Sequence, residues 1–299
     1  MIFNTTHVSI IMAVKNESKY ISEAIQSILL QDSINFELIV IDDNSNDNTY
    51  EIAHNNFSST KNFSLFKSPG TGKVAAFNFG VSMAKGDFIC LFAGDDIMPL
   101  GSLHHRYLAL SDIPTDRPAA GLSKIKILSD DKTLNGKIVP RRKGHGSLSG
   151  QSPLMNRMAT ELLFPIPEIL PNEDTWLEIA FSDTKLIKLI HSDIICCNWR
   201  MHAGNSVGLK IPYNEYKPKL VLRRSAYGIF LNQFIYKLPK NEQRALNGKV
   251  KGIKCYEKED LIGLLLTDTD FMWKIRMISS INSFFYTITT KFKSALTGW

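Results

Sequence analysis

An α/β protein with a mostly parallel sheet is the fold class this sequence predicts, on three observations. Short apolar runs alternate with segments of helical period. The runs are unbroken enough for strands covered on both faces, and three of them stop abruptly at polar, acid-bearing residues. Val8–Val14 (VSIIMAV) is the first run. In Ser18–Leu30 the residues Tyr20, Ile21, Ala24, Ile25, Ile28 and Leu29 recur at helical spacing. Phe36–Ile41 is a second buried strand that stops at Asp42-Asp43-Asn44-Ser45, and a helix starts near Asp47–Thr49 with Asp47 as its N-cap. Phe63–Phe66 is a short third strand. Gly72–Ala84 reads as a helix closed by Gly86 at C′, and Phe88–Phe92 is a fourth buried strand running into Gly94-Asp95-Asp96. This β-α-β-α-β-α-β order requires parallel strands joined by right-handed crossovers. Farther on, strands are expected at Gly121–Leu128, Lys137–Val139 and Ile194–Arg200, with a helix at Glu173–Phe181 and helices throughout the last 93 residues.

Of 299 residues, 44% are hydrophobic and 21% charged, which excludes a disordered, collagen-like or disulfide-scaffold chain. The net charge of +6 is unevenly spread: Met1–Leu100 holds 6 lysines, no arginine and 11 acids, whereas the last 93 residues hold 16 basic and 7 acidic groups. A basic back half suits a phosphate-bearing partner or an anionic surface, and no nucleic-acid partner is expected. Four cysteines without a C-x-x-C pair favour a reduced, cytoplasmic setting. The start lacks the basic segment of a secretory signal, and no run approaches the length of about 18 apolar residues that a transmembrane helix needs.

Ligands of parallel sheets bind beyond the carboxyl ends of the strands, where Lys15-Asn16-Glu17, Asp42-Asp43 and Asp95-Asp96 all fall. Adjacent acids after an apolar strand repel each other unless solvent, donors or a cation offset their charge. For Asp95-Asp96 two readings stand level: a divalent metal holding a diphosphate, or Asp96 capping a helix that begins near Met98-Pro99. Asp42–Asp47, taken alone, reads better as a strand-end turn with an N-cap. Gly70-Thr71-Gly72-Lys73 misses the P-loop spacing and the Ser or Thr that should follow, and no G-x-G-x-x-G follows the first strand. His191, Cys196, Cys197 and His202 match no standard zinc spacing, and Arg141-Arg142-Lys143 reads as a solvated loop, with an acceptor-side phosphate contact as the alternative.

Several segments in order are familiar: VSIIMAVKNE (Val8–Glu17), SILLQ (Ser27–Gln31), FELIVIDDNSNDNT (Phe36–Thr49), Gly72-Lys73, Asn78-Phe79-Gly80, AKGDFI (Ala84–Ile89) and AGDD (Ala93–Asp96). Together with NEDTWL (Asn172–Leu177) and WRMH (Trp199–His202), they resemble the inverting GT-A glycosyltransferases of family 2 over roughly Val8 to Val207. The resemblance implies a GT-A fold with a Rossmann-like sheet, and it implies roles. Ala13, Val14 and Lys15 match the loop bordering the nucleotide, Asp43 the residue that binds the base, and Lys73 a basic residue near base or phosphates. Asp95 and Asp96 match the end of the D-x-D element. Asp95 then lies beside the donor, and Asp96, the final acid, ligates a divalent metal, Mn²⁺ or Mg²⁺. Asp174 matches the catalytic base, with Glu173 beside it. Arg200 and His202 match a segment closing near the diphosphate, His202 as an additional metal ligand. Lys15 stands where the family commonly has an aromatic, Ala93 or Gly94 stands where D-x-D has its first acid, and Phe164–Pro171 is proline-rich.

These roles suit inversion, in which a carboxylate takes the proton of an attacking hydroxyl while positive charge meets the departing diphosphate. The expected organisation is a catalytic domain over 1–207 and a basic helical region over 208–299. The expected reaction moves a sugar from a nucleotide-diphosphate donor to a saccharide or lipid-linked saccharide acceptor in cell-surface polysaccharide assembly, UDP being the commonest donor nucleotide of the family. Two alternatives stand beside it: a nucleotidyltransferase, and a catalytically silent partner subunit that binds nucleotide sugar. For Asp174 the alternative is a helix N-cap. Phe271–Phe292 sets Ile275, Ile278, Ile281, Phe285, Ile288 and Phe292 on one helical face, which either packs on the catalytic domain or lies on the inner surface of the cell membrane.

Overall fold

The computed structural model describes residues 7–111, 116–202 and 211–296, in two compact units. The first holds the described residues up to Leu177 together with Ile187–His202, and the second holds Glu178–Leu186 and the described residues from 211 onward. The boundary expected after Val207 lies outside the described residues, as do the terminal residues of the sequence and the side chain of Phe292.

In the first unit, β1 (His7–Val14), α1 (Ile21–Leu29), β2 (Asn35–Asp42), α2 (Thr49–Phe57), β3 (Phe63–Lys67), α3 (Lys73–Met83) and β4 (Phe88–Ala93) alternate in the expected order. They are followed by α4 (Ser102–Ser111), β5 (Ala119–Ser129), β6 (Ile138–Val139), β7 (Leu154–Asn156), α5 (Arg157–Leu163), α6 (Asp174–Glu178) and β8 (Lys188–Met201). The described strands form one sheet in the order β3-β2-β1-β4-β7-β5-β6, with β8 paired to β5. β1 to β4 are mutually parallel, β7 inserts antiparallel between β4 and β5, and β8 runs parallel along β5.

β1 is the spine of the core. On one face Val8, Ile10 and Met12 cluster with Ile21, Ala24, Ile25 and Ile28 of α1 and with Leu38 and Val40 of β2. Ile11 and Ile41 turn to the other face, where α3 covers them. Gly80 sets that approach, since a Cβ there would stand 2.3 Å from Ile11 Cγ2 and 3.1 Å from Ile41 Cγ1.

Several local expectations change. Asn48 occupies the N-cap position of α2 without a side-chain cap bond, and the Asp47 carboxylate beside it takes the N–H of Thr49, the first helical residue (3.0 Å), as well as that of Ser18 (3.2 Å). α3 ends in an extended Ala84 rather than a left-handed glycine. There the Lys85 N–H donates to Glu37 and the Gly86 N–H to Ser9 Oγ, and these bonds anchor the turn into β4. Asp96 caps no helix, since its partners lie across the sheet (below) and α4 begins only at Ser102. The helix expected over Glu173–Phe181 is the short α6 followed by a π-helical turn, Ile179–Asp183. β8 begins at Lys188 rather than Ile194, its pairing with β5 carried through a register shift between Leu122 and Ile125.

The second unit contains α7 (Tyr213–Arg224), α8 (Ala226–Phe234), α9 (Lys240–Glu257), α10 (Leu261–Leu265), α11 (Phe271–Ile278) and α12 (Ser283–Leu296). The single helix expected over Phe271–Phe292 is therefore two. Asn282 Oδ1 accepts the Phe285 N–H and starts α12, while α11 buries Trp273 and Met277 and leaves Ile275 42% exposed. No described helix is long and apolar enough to cross a membrane. All four cysteines are free thiols.

Because α3 meets β1 through Gly80, Gly80→Val should destabilise the first unit by about 1–3 kcal/mol through overpacking. Urea denaturation followed by circular dichroism measures the loss.

Candidate functional site

Register decides where the strand ends arrive. Val14 of β1 lies opposite Asp42 of β2, and Ala13 lies opposite both Ile41 of β2 and Ala93 of β4. The residues that follow, Lys15–Glu17, Asp43 and Gly94–Asp96, therefore emerge together at one carboxyl edge. The first loop is fastened to the second: the N–H groups of Asn16, Glu17 and Ser18 donate to Ser45 Oγ (3.0 Å), Thr49 Oγ1 (2.7 Å) and Asp47 Oδ2 (3.2 Å). The polar run after β2 is thus structural in its later half. Asp43 differs, because its buried carboxylate accepts the Gly72 N–H at 2.8 Å and faces Lys15 Nζ at 3.4 Å.

Two dipeptides link the acids into one network. Gly72 holds Asp43, and the next residue, Lys73, pairs with Glu173 at 2.8 Å. Gly150 donates its N–H to Asp174 Oδ1 at 2.8 Å, and the next residue, Gln151, donates its side-chain amide to Asp96 Oδ2. A Cβ at 150 would come within 2.6 Å of Glu173 Oε1 and 2.8 Å of Asp174 Oδ1, so any larger residue there would displace these two carboxylates. Asp174 also accepts the Asn172 amide at 3.2 Å and is half-buried at the first turn of α6. Its bonds come from Gly150 and Asn172, so it does not serve as an N-cap.

Partial desolvation alone would lower the pKa of the half-exposed Lys73, but the carboxylates of Glu173, Asp174 and Asp95 outweigh it and hold the ammonium above its ordinary range. Glu173 is 2% exposed, and burial followed by the nearby Asp174 charge raises its pKa against the pull of Lys73. Its Oε2 has no hydrogen-bond partner in the described structure.

Asp96 is 0% exposed, with Oδ1 accepting the Arg200 N–H at 2.7 Å and Oδ2 taken by Gln151. Burial, then the charge of Asp95, pushes its pKa up to about 8. Asp95 points elsewhere: its Oδ2 lies 3.1 Å from His202 Nε2. One carboxylate oxygen each of Glu17 and Asp95 and a ring nitrogen of His202 lie within 4.8 Å of one another. Burial and the charges of Asp95 and Asp47 raise Glu17 to about 7. Arg200 closes this corner, donating Nε–H to the Asp95 carbonyl at 2.8 Å, pairing with Glu23 at 2.6 Å and standing 4.7 Å from the centre of the Tyr20 ring.

Residues 9–162 match the family described as Glycosyl transferase family 2. The chain belongs to that family. This family 2 chain is 41% identical over 96 residues to an uncharacterized glycosyltransferase of Haemophilus influenzae, a match covering 32% of this chain and 38% of that relative. It thus spans well under half the length of that relative. A longer match, 27% identical over 215 residues, covers 70% of this chain and 81% of the Escherichia coli UDP-Glc:alpha-D-GlcNAc-diphosphoundecaprenol beta-1,3-glucosyltransferase WfgD. Among solved structures, S. aureus TarS 1-349 in complex with UDP-GlcNAc aligns with a TM-score of 0.61 at 17% identity, covering 94% of this chain and 83% of that one. The shared fold is GT-A.

The structure of this family 2 chain brings Lys15, Asp43, Lys73, Asp95, Asp96, Asp174, Arg200 and His202 onto one connected edge of the first unit. Val14 is buried beneath that edge, where its carbonyl accepts the Asp43 N–H at 2.8 Å, and Ala13 is half-buried beside it. The ligand-type atoms that come together are those of Glu17, Asp95 and His202, whereas Asp96, expected as a metal ligand with His202, gives both its oxygens to protein donors. Sequence reasoning did not single out Glu17, Gln151 or Glu23. Glu17 had a signal, since it sits in the polar tip after the first strand, whereas Gln151 and Glu23 act through partners far away in sequence.

Lys73→Met would leave the buried Glu173 carboxylate without its ion pair, at a cost of about 2–3 kcal/mol after discounting for the half-exposed ammonium. A carboxyl whose folded pKa lies above its unfolded value destabilises as pH rises, so the loss should be large at pH 8 and shrink toward pH 5. Chemical denaturation of both proteins at the two pH values gives the comparison.

Proposed function

We propose that this glycosyltransferase moves a sugar from a nucleoside-diphosphate sugar, UDP favoured, to a saccharide hydroxyl, inverting the anomeric centre by single displacement. The observation that carries the reading is the pair of dipeptide links, Gly72-Lys73 and Gly150-Gln151, which tie Asp43, Asp96 and Asp174 into one bonded network at the carboxyl edge of β1, β2 and β4. Asp43 accepts from the base, beside Lys15. Asp174, half-buried and held by Gly150 and Asn172, takes the proton of the incoming hydroxyl. Lys73 keeps its positive charge and, with Arg200, faces the phosphate charge that grows as the sugar leaves. Glu173, buried and paired, fixes Lys73 and is a poor candidate for the base.

A divalent cation fits the donor set of Glu17, Asp95 and His202. Two carboxylates suit Mg²⁺ or Mn²⁺, and the imidazole favours Mn²⁺. Asp96 then supports the ligands from behind through the Arg200 N–H rather than binding the metal itself. The metal would supply Lewis-acid stabilisation of the leaving diphosphate.

Support for the donor and acceptor comes from relatives. TarS holds UDP-GlcNAc, and WfgD is named as acting from UDP-Glc on an acceptor linked through diphosphate to undecaprenol. A lipid-diphosphate-linked saccharide is accordingly the proposed acceptor class. The residues assigned here all fall within 1–207, and none comes from 208–299.

Turnover of a panel of nucleotide sugars, with the anomeric configuration of the product read by NMR, tests the proposal. Asp174→Asn should lower turnover on the order of 10²–10⁴-fold with donor binding retained. Unchanged turnover, or retention of configuration, would overturn the assignment. Chelation should abolish activity. Glu17→Gln and His202→Ala should raise the Mn²⁺ concentration needed for half-maximal rate on the order of tenfold or more, whereas Asp43→Ala should weaken donor binding without changing the metal requirement.

A further inference from the structure

The second unit presents an apolar surface that the roles above do not use. α11 is apolar on two sides: Trp273 and Met277 are buried, while Phe271 (74% exposed), Met272 and Ile275 face outward. At about 100° per residue these sets occupy opposite faces, with Lys274 and Arg276 on the flanks between them. The neighbouring α10 and its C-cap residue also expose large apolar side chains, Ile262, Leu265 and Leu266 (80% exposed). Lys274 Nζ donates to the Leu265 carbonyl at 2.8 Å and holds the two helices together.

Leu266 also lines a cleft of about 960 Å³ whose other wall is α9, including Lys240, Lys251 and Lys254. Those lysines share one face of α9 and enter no ion pair among the described residues. The nearby acids are otherwise engaged. Asp268 holds Arg244 at 2.6 Å, Asp260 and Asp270 cap α10 and α11 through the N–H groups of Gly263 and Trp273 at 2.8 Å, and Glu259 holds Lys217 at 2.7 Å. Large apolar side chains and a row of lysines outside any ion pair of the described residues thus occur together around Leu266.

We propose that this face of the second unit docks on a bilayer containing anionic phospholipid. The ridge of α10 and α11 enters the boundary between headgroups and acyl chains, and the lysines of the cleft meet lipid phosphates. Exposed apolar side chains flanked by cations match the chemistry of that interface. A soluble acidic partner would match the lysines but not the apolar ridge, and an apolar protein face would leave the lysines unmatched. The docking is independent of the donor chemistry proposed above, so either can fail alone.

Co-sedimentation of the full chain with phosphatidylcholine vesicles, with and without phosphatidylglycerol, tests it. The chain should partition to the mixed vesicles and far less to phosphatidylcholine alone. Lys251→Gln with Lys254→Gln should weaken partitioning about 25-fold, at about fivefold per lysine near an anionic surface. Phe271→Ser with Met272→Ser should remove it, with circular dichroism unchanged in both variants because the altered side chains are exposed. Failure of the wild-type chain to bind the mixed vesicles would overturn the proposal, and so would binding that neither variant weakens. A concentration-dependent dimer that Phe271→Ser dissociates would overturn it in favour of a second copy as the occupant.

Discussion

The register of β1 between β2 and β4 gathers charge at one place. Because these strands end level, Glu17, Asp42, Asp43, Asp95 and Asp96 come to the same edge of an otherwise apolar sheet. Such a cluster is unfavourable unless its charge is met. Backbone N–H groups of Ser45, Gly72 and Arg200 meet part of it, and the cation of Lys15 meets another part. The rest stays with Glu17 and Asp96, which hold their protons more tightly than ordinary carboxyls.

Around this edge the chain uses adjacent residues as clamps. Gly72-Lys73, at the start of α3, joins the second strand end to the acids at α6, and Gly150-Gln151 joins those acids to the end of β4. The second clamp is braced from below. The buried Arg106 guanidinium of α4 donates to the Ser152 carbonyl at 2.9 Å, and Cys197 of β8 donates its thiol to the Gln151 amide oxygen at 2.9 Å. Packing of α4 and β8 is therefore coupled to the position of Asp96.

The alternation of strands and helices was legible because a strand covered on both faces must be largely apolar, and Val8–Val14, Phe36–Ile41 and Phe88–Phe92 carry that mark, interrupted only by Ser9 and Glu37. The acidic tips were legible for the converse reason, since Asp95-Asp96 after an apolar strand calls for compensation. Gln151 was not, because its partners Asp96 and Cys197 are 55 and 46 residues away, and nothing in its own surroundings marks it. The division of labour between Asp95 and Asp96 was invisible for a related reason. Neighbouring strand-end residues point in different directions, and only the location of Arg200 and His202 on β8 and just after it decides which acid is enclosed. The break between α11 and α12 was hidden by apolar spacing that runs on through Ile278 and Ile281, while the interruption is set by a single polar cap at Asn282.

The Gly150-Gln151 clamp has a consequence for redesign. One peptide unit sets the partners of two acids on different strands and helices, so substitutions at Asp96 and Asp174 are expected to be non-additive. Loop grafting to change substrate range has to splice outside this dipeptide, because an inserted residue between the two glycine and glutamine positions would shift one acid's donor relative to the other's.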